Sequence, residues 1–329
     1  MSKYLVLGSN SFAGSSFVNY CVNQRNQVVG INRSPETSQI FLPILNNPRK
    51  NNYCFHNLDI NKDNDEVLNK IDEFKPDVIV DFAGQGMVAE SWQNPHQWYQ
   101  TNIVSKAKIH KFLIGKSYLK NYIRISTPEV YGSNDSLIDE SFSMNPSTPY
   151  AISHMATDLS ILALHKNLSF PASIGRFANF YGPHQQLYRI IPKTIISVLN
   201  NSILNLHGGG KSVRAFIHAD DVSNGIIKIV ETGRVGEVYH FSPEEFFSIK
   251  DIVMMVCDEL DADFNKHTKV TEDRAGKDFA YLMGSNKANS ELKWNSEIAL
   301  KTGIKQTIEW VKSNLDDIRE LSHEYEHKE

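Results

Sequence analysis

The chain contains 329 residues, of which 41% are apolar and 22% charged, and it carries a formal net charge of -4. These values indicate a globular protein with one large α/β unit or two domains, and they argue against a nucleic-acid-binding protein, which would show a basic stripe. The longest apolar runs are interrupted by proline or lysine and the start of the chain does not resemble a signal peptide, so we expect a cytoplasmic protein without a membrane span.

Strand-like and helix-like segments alternate along the first half of the chain. The predicted strands cover residues 4–7, 27–31, 53–58, 77–82, 122–126 and 172–177, and the predicted helices cover 12–24, 63–74, 98–115 and 149–167. This alternation predicts an α/β fold with a Rossmann-like, doubly wound parallel sheet, whose ligands bind beyond the carboxyl ends of the strands.

The second half of the chain mixes helices, short strands and longer loops, which indicates a smaller mixed α/β domain. We expect the sheet domain to span residues 1–177, with a returning segment at about 211–236. The second domain would comprise residues 178–210 and 237–329 and would bind the substrate. A helix is predicted at residues 305–324, and the charged residues after it are expected to be solvated.

A glycine-rich turn joins the first predicted strand to the first predicted helix. Gly8 permits a tight turn, the small Ser11 lets the backbone approach a pyrophosphate, and Gly14 allows the helix to pack closely on the strand. The amino end of that helix would then bind the phosphates. We therefore predict a dinucleotide cofactor, NAD or NADP, and assign Asn10 and Phe12 to the same loop.

The ends of the next strands extend the predicted cofactor site. Asn32 and Arg33 follow the second strand, where an acid favours NAD and an arginine accommodates the extra phosphate of NADP, so the pattern leans slightly towards NADP. Asp59 and Ile60 follow the third strand near the expected adenine, although Asp59 fits a helix cap equally well. The residues assigned after the fourth strand are Phe82, Ala83 and Gly84.

Two short segments carry the candidate catalytic groups. The first contains Thr127 and Glu129 at the end of an apolar strand, and the second contains Tyr150 and, one helical turn later, His154. These side chains supply a general base, a proton relay and a partner for a redox cofactor. We assign Tyr150 and His154 to the cofactor site as well.

These motifs resemble the extended short-chain dehydrogenase/reductase family, and within it the nucleotide-sugar 4,6-dehydratases that act on dTDP-glucose. The resemblance covers nearly the whole chain. It is carried by the glycine loop, the segments around Glu129 and Tyr150, and residues 83–91, 101–102, 179–183, 191–192, 214–221 and 273–278.

The resemblance implies an NAD(P)-dependent lyase with an internal redox cycle. Tyr150 would take the proton of the C4 hydroxyl while hydride leaves C4, and Thr127 would hold the sugar near O4. Glu129 would then remove the C5 proton, water would leave from C6, and the hydride would return to C6. Such an enzyme would work in the synthesis of a deoxy or amino sugar.

Three departures from the family pattern bear on this expectation. His154 replaces the lysine that grips the nicotinamide ribose and lowers the pKa of the tyrosine, and a histidine is mostly uncharged near neutral pH. Pro128 stands where dTDP-glucose dehydratases carry an aspartic acid, so Glu129 or a water must protonate the leaving hydroxyl. The GDP-mannose 4,6-dehydratases also lack that aspartate. The segment at Gln85 is less polar than in the family, which leaves the identity of the sugar open.

The resemblance also implies a nucleotide-diphosphate hexose as substrate. Arg214 and Arg274 are the best candidates for its phosphates, because the guanidinium fork matches phosphate oxygens. The other residues assigned to substrate binding are Gln85, Ser91, Asn179, Arg189, His207 and Lys277. A surface ion pair is the alternative role of each arginine, most of all for Arg189, and no residue identifies the base.

A second copy of the chain is the expected partner. The predicted helices 98–115 and 149–167 carry apolar stripes, and relatives pair these helices in a four-helix dimer interface, although burial within one chain would also explain the stripes. The histidines and the three cysteines show no metal-ligand spacing, so no metal site is expected.

Two further functions compete with the dehydratase. A nucleotide-sugar 4-epimerase or C4 dehydrogenase/reductase would use Tyr150 alone and leave Glu129 as a binding residue. A non-catalytic sugar-nucleotide-binding protein would follow if His154 marks an inactive copy of the enzyme.

Overall fold

The computed structural model describes residues 1–272 and 280–329. Its strands are β1 Lys3–Leu7, β2 Gln27–Asn32, β3 Tyr53–Asn57, β4 Val78–Asp81, β5 Asn121–Ser126, β6 Ala172–Phe177, β7 Asn179–Tyr181, β8 Leu204–His207, β9 Val213–Arg214, β10 Phe216–His218, β11 Val238–Phe241, β12 Phe247–Ser248 and β13 Thr268–Thr271. Within the described residues, seven of them form one sheet in the order β11-β6-β5-β4-β1-β2-β3. Every pairing in this sheet is parallel, which confirms the predicted fold class.

Helices cover both faces of this sheet. They are α1 Phe12–Asn23, α2 Asn64–Phe74, α3 Val88–Ser91, α4 Pro95–Tyr99, α5 Lys106–Leu113, α6 Pro149–Leu168, α7 Ile190–Leu199, α8 Ala219–Thr232, α9 Ile249–Glu259, α10 Phe264–His267, α11 Asn286–Leu292, α12 Leu300–Ser313 and α13 Leu315–Arg319. Because of this double cover, every residue of β5 and β6 is buried, as expected for central parallel strands.

The strand order places a crevice at the carboxyl ends of β1 and β4. From β1 the sheet grows in two directions, towards β2 and β3 on one side and towards β4, β5 and β6 on the other. Connections diverge at such a switch point and leave an open crevice, which is the usual ligand site of a doubly wound sheet.

A second core lies in the later part of the chain. Ile195 of α7, Ile252 of α9 and Ile304 of α12 pack in one apolar cluster, and the short strand pairs β7–β10, β8–β13 and β9–β12 lie in the same part of the chain. The predicted division into two domains stays a prediction. Strand β11, residues 238–241, follows the predicted returning segment of 211–236 and pairs with β6 at the edge of the main sheet.

Two helix predictions need correction. The predicted single helix at 98–115 begins at Pro95 and ends at Leu113, and it contains a π-helical turn at Gln100–Ser105 between α4 and α5. The helix predicted at 305–324 is α12 and α13, which end at Arg319. No described helix has the length and hydropathy needed to cross a membrane.

Candidate active site at the carboxyl edge of the sheet

A cavity of about 390 Å³ occupies the crevice of the sheet. Ten of the predicted cofactor residues line it, namely Gly8, Asn10, Ser11, Asn32, Arg33, Asp59, Ile60, Phe82, Ala83 and Gly84. Phe12 and Gly14 lie behind this wall, buried in the first turn of α1. The structure therefore brings most of the predicted cofactor residues together around one opening.

The glycine loop has the geometry that a dinucleotide requires. Gly8 has a φ of +78°, and a Cβ there would lie 2.7 Å from the amide nitrogen of Ala83. A Cβ on Gly14 would lie 2.2 Å from the carbonyl oxygen of Gly8. Ser11 caps α1, since its Oγ accepts a hydrogen bond of 3.1 Å from the amide of Gly14. Neither Gly8 nor Gly14 has room for a side chain, so the backbone forms a narrow cradle that fits a diphosphate.

The polar residues at the far side of the cavity order the adjoining loops. The side-chain amides of Asn10 and Asn32 each donate to the carbonyl oxygen of Ser34 at 3.0 Å. Asp59 closes a turn before α2, because its Oδ1 accepts from the amide of Asn61 at 2.8 Å. Arg33 extends across the cavity to the Oε1 of Gln85 at 3.5 Å.

Thr127 links the candidate catalytic groups. It is the first residue after β5, and its Oγ1 caps the short helix Pro128–Tyr131 by accepting from the amide of Glu129 at 3.3 Å. The same side chain hydrogen-bonds the phenol of Tyr150. Thr127, Glu129 and Tyr150 therefore meet at one strand end, as the sequence predicts.

Tyr150 occupies the first turn of α6, where Thr148 caps the helix and Pro149 fits the first helical position. Burial and the Glu129 carboxylate raise the pKa of Tyr150, whereas the Thr127 hydroxyl and the cations Arg124 and Arg189 lower it. The ring of His154 lies one turn later, with its centroid 4.5 Å from that of Tyr150. A bound substrate would therefore meet a phenol whose ionisation depends on nearby charges.

His154 is buried against Arg124, a residue of β5 that sequence reasoning missed. The Nη2 of Arg124 lies 2.9 Å from the Nδ1 of His154. Burial and the Arg124 and Lys106 cations hold the pKa of His154 well below its ordinary value. Because a guanidinium can only donate, Nδ1 accepts and the imidazole is neutral.

Arg124 belongs to a cluster of buried charges beneath His154. Asp81 at the end of β4 accepts from Lys106 at 2.7 Å and lies 3.5 Å from Arg124. Asp158 of α6 pairs with Arg176 at 3.0 Å and lies 3.7 Å from Arg124. Burial and Arg124 lower the pKa of Lys106 to about 8. The only sequence signal for this cluster is the presence of Arg124 and Arg176 inside the apolar strands β5 and β6.

Two predicted substrate residues lie at the same edge. The Oγ of Ser91 accepts from the amide of Tyr150 at 3.2 Å, so Ser91 supports the first turn of α6. Gln85 is buried, and its backbone amide donates to the Oδ1 of Asn102 at 2.9 Å. Asn102 also donates to Ser153 of α6 at 2.9 Å, so it joins the loop after β4 to the catalytic helix.

The remaining predicted substrate residues lie around the second domain. Arg189 is exposed but close enough to lower the pKa of Tyr150, and Asn179 begins β7 at the surface. Arg214 lies 4.1 Å from the ring centroid of Tyr281, and His207 hydrogen-bonds Thr271 at 3.1 Å. Arg274 and Lys277 lie outside the described residues.

The charged side chains at the end of the chain, Glu326, Lys328 and Glu329, are exposed, as expected from the sequence. Nothing in the sequence indicates, however, that residues 325–329, called the terminal segment below, lie along the cavity. Gln85 donates to the carbonyl oxygen of Lys328 at 2.7 Å, and Arg33 donates to that of Glu329. The ring of His327 stacks on Trp98 at 5.3 Å. Tyr325 packs against Tyr188 at 5.3 Å, so the aromatic rings of the segment are partly buried while its charged side chains stay in solvent.

Fold and site together define an extended short-chain dehydrogenase/reductase. Residues 5–307 match the family described as GDP-mannose 4,6 dehydratase, and the chain belongs to that family. The predicted family resemblance is confirmed.

Relatives extend along almost the whole chain. A dTDP-glucose 4,6-dehydratase of Salmonella typhimurium is 27% identical over 95% of this chain and 93% of its own length. A human dTDP-D-glucose 4,6-dehydratase is 30% identical over 80% of this chain and 77% of its own. The crystal structure of a dTDP-glucose 4,6-dehydratase from Streptomyces venezuelae, with NAD bound, is 28% identical over 95% of this chain and 98% of its own, with a TM-score of 0.87.

The fold itself is shared with other activities. A UDP-glucose 4-epimerase from Thermotoga maritima is 21% identical over 95% of this chain and 99% of its own, with a TM-score of 0.86. Its likeness concerns the fold alone. The family match and the dehydratase relatives, rather than this likeness in fold, identify the chain as an NAD(P)-dependent enzyme of the nucleotide-sugar dehydratase kind.

Proposed function

We propose that this protein is a nucleotide-sugar 4,6-dehydratase that acts in the cytoplasm in the synthesis of a deoxy or amino sugar. The observation that carries the proposal is the meeting of Thr127, Glu129 and Tyr150 at the end of β5. A carboxylate placed beside the phenol supplies a second base, which a simple oxidation or epimerisation at C4 does not need.

Tyr150, Thr127 and Glu129 divide the steps of this reaction among them. Tyr150, as phenolate, accepts the proton of the C4 hydroxyl, and Thr127 holds O4 beside it. The 4-keto group acidifies the C5 proton, which Glu129 removes. A bound dinucleotide supplies the hydride acceptor for C4 and the hydride donor for C6, so it is not consumed overall.

Glu129 also has to return the proton. Pro128 occupies the first position of its short helix and has no proton to give. We propose that Glu129 transfers the proton taken from C5 to the departing C6 hydroxyl, which leaves as water. This double use of one carboxyl balances the elimination without a separate acid. Return of hydride to C6 then requires a proton at C5, which Glu129 would take from solvent and deliver.

The cavity supports binding of NAD or NADP. Gly8, Ser11 and Gly14 would hold the diphosphate, while Asp59 and Ile60 would lie near the adenine. The slight preference for NADP rests on Arg33 and on the absence of an acid at the end of β2. We assign the substrate's nucleotide diphosphate to Asn179, Arg189, His207, Arg214, Arg274 and Lys277.

A homodimer is part of the proposal. Val104 of the π-helical turn and Ile152 and Leu159 of α6 are exposed. Ile152 and Leu159 are seven residues apart and so lie on one face of the helix. An apolar face of this kind is suited to pairing with a second copy.

A C4 epimerase is the second candidate, and Pro128 favours it. An enzyme without a dedicated acid beside Glu129 lacks an evident proton donor for the C6 hydroxyl, and epimerisation at C4 does not require one. A single experiment separates the two functions. The purified enzyme is incubated in deuterium oxide with dTDP-, GDP-, UDP- and CDP-hexoses, and the mass of each product is measured by mass spectrometry.

The dehydratase predicts loss of one water from one sugar, deuterium at C5, and no net change in the cofactor. Isomerisation without loss of water would identify an epimerase, and loss of two hydrogens would identify a dehydrogenase. Binding without turnover across the panel would support a binding protein and contradict the proposal.

A further inference from the structure

The cation expected beside the catalytic tyrosine stands at a different position in this chain. The resemblance places a lysine at position 154, where this chain has a neutral histidine. Arg124 contacts that histidine at 2.9 Å from β5, on the side of the ring that faces the sheet. The guanidinium is 1% exposed, so water screens its charge weakly.

The charge balance of the cluster leaves Arg124 as the surplus cation. The described part of the cluster contains three cations, Lys106, Arg124 and Arg176, and two carboxylates, Asp81 and Asp158. Each carboxylate has its shortest ion pair with a cation other than Arg124, at 2.7 and 3.0 Å, whereas Arg124 lies at 3.5 and 3.7 Å. Below about pH 8, where Lys106 is protonated, one positive charge therefore remains uncompensated, and it lies directly beneath His154.

Arg124 also determines which ring nitrogen of His154 carries the hydrogen. Since Nδ1 accepts from the guanidinium, the hydrogen resides on Nε2. His154 is 8% exposed, and its ring packs at 4.5 Å from the phenol ring. The histidine thus presents an N–H donor at the place where a lysine would present an ammonium.

We propose that Arg124 is a positioning residue that replaces the missing lysine: it fixes His154 as a neutral Nε2–H donor and supplies, through that ring, the positive charge that stabilises the Tyr150 phenolate. His154 then contacts the nicotinamide ribose and Arg124 supplies the positive charge, so two residues together perform the two roles of the family lysine. The proposal rests on the proposed function only in taking Tyr150 as the base.

The charges around Tyr150 agree with this division. Burial and then Glu129 raise the pKa of the phenol, and Arg124 and Arg189 partly offset this rise by lowering it. Arg189 is exposed, so its charge is screened more strongly than that of Arg124. Lys106 faces His154 but is paired with Asp81.

The first test uses the unaltered protein. Imidazole nitrogen NMR of the ¹⁵N-histidine-labelled enzyme, with His154 assigned by comparison with His154→Gln, should show a neutral ring with the hydrogen on Nε2 from about pH 6 to 9. An imidazolium, or a hydrogen on Nδ1, would overturn the proposal. This readout depends on neither activity nor cofactor.

The second test separates the charge of Arg124 from its hydrogen bond. Arg124→Gln keeps an N–H donor for His154 without the charge, and Arg124→Lys keeps the charge. The pH at which sugar oxidation is half-maximal, read from the absorbance of reduced nicotinamide, should rise by about one to two units in Arg124→Gln and by under about half a unit in Arg124→Lys. An unchanged midpoint in folded Arg124→Gln refutes the proposal.

The third test restores the lysine. His154→Lys should lower the melting temperature and give no gain in rate, because it places a second cation against Arg124. The double variant Arg124→Gln, His154→Lys should regain the unaltered pH midpoint. A gain from His154→Lys with Arg124 in place would contradict the inference.

Failure of the proposed function is distinguishable from failure of this inference. If no sugar loses water, the dehydratase is wrong. The ultraviolet titration of Tyr150, taken as the difference from Tyr150→Phe, still reports whether Arg124→Gln raises the pKa of the phenol.

Discussion

Replacing Glu129 by glutamine should have two opposite effects on the two halves of the reaction. The amide cannot take the C5 proton, so elimination should slow by about 10²–10⁴-fold, the usual contribution of a positioned general base. Oxidation at C4 should persist, because Tyr150 and Thr127 are unchanged. Reduced cofactor and 4-keto sugar should therefore accumulate on the enzyme.

The same substitution should move the pH dependence of the oxidation step. After burial, the charge of Glu129 is the next cause that raises the pKa of Tyr150. Two unit charges about 6 Å apart interact by about 3 kcal/mol at an effective dielectric constant of about 20. Glu129 is partly exposed, so screening reduces the effect to about one pKa unit. Since the carboxylate raises the pKa of Tyr150, its removal should lower the midpoint of oxidation by about one pH unit.

Single-turnover absorbance of the reduced nicotinamide across a pH series measures both effects. Glu73→Gln is the matched control, because Glu73 is exposed at the surface beside Lys70 and its loss should change neither rate nor midpoint. Full dehydration by Glu129→Gln would refute the role of Glu129 as base. Loss of oxidation together with elimination would show that Glu129 serves both steps.

Three further predictions concern the cavity and the surface. Gly8→Ala should abolish the rise in melting temperature that NAD or NADP produces, because a Cβ meets the Ala83 backbone at 2.7 Å, whereas Gly86→Ala, with no atom within 4 Å of its Cβ, should keep it; equal shifts would contradict the cradle. Deletion of residues 325–329 should speed cofactor association in stopped-flow fluorescence, since it frees Arg33 and Gln85; slower association would show that the terminal segment holds the cofactor. Leu159→Glu should convert a dimer to a monomer in sedimentation velocity without changing the melting profile of the monomer, and an unchanged sedimentation coefficient would exclude α6 from the interface.

The sheet could be predicted because its strands are buried on both faces. Such strands appear as short apolar runs, and the ends of parallel strands gather polar residues at one edge. Thr127 and Tyr150 lie far apart in the chain, yet both fall at that edge once the topology is known. The π-helical turn at Gln100–Ser105 has no comparable signal, because its residues continue an ordinary helical pattern.

The charge cluster and the terminal segment could not be predicted for a different reason. Arg124 and Arg176 are visible in the sequence as charged residues within apolar strands, but their partners Asp81 and Asp158 are identified only by the packing of β4 and α6. For residues 325–329 the composition correctly indicated exposed charged side chains, but it gave no sign of the contacts made by the backbone and the aromatic rings. Charge indicates solvation on average, whereas the contacts of His327 with Trp98 span more than 200 residues of chain and depend on the finished fold.

The placement of the terminal segment has a practical consequence for anyone who purifies this enzyme. Met1 is 82% exposed and precedes β1 at the amino ends of the strands, on the edge opposite the cavity. Glu329 lies beside Arg33. An affinity tag fused before Met1 would project into solvent, whereas one fused after Glu329 would begin beside Arg33 at the cavity. Kinetic constants measured with the two fusions should therefore not be combined.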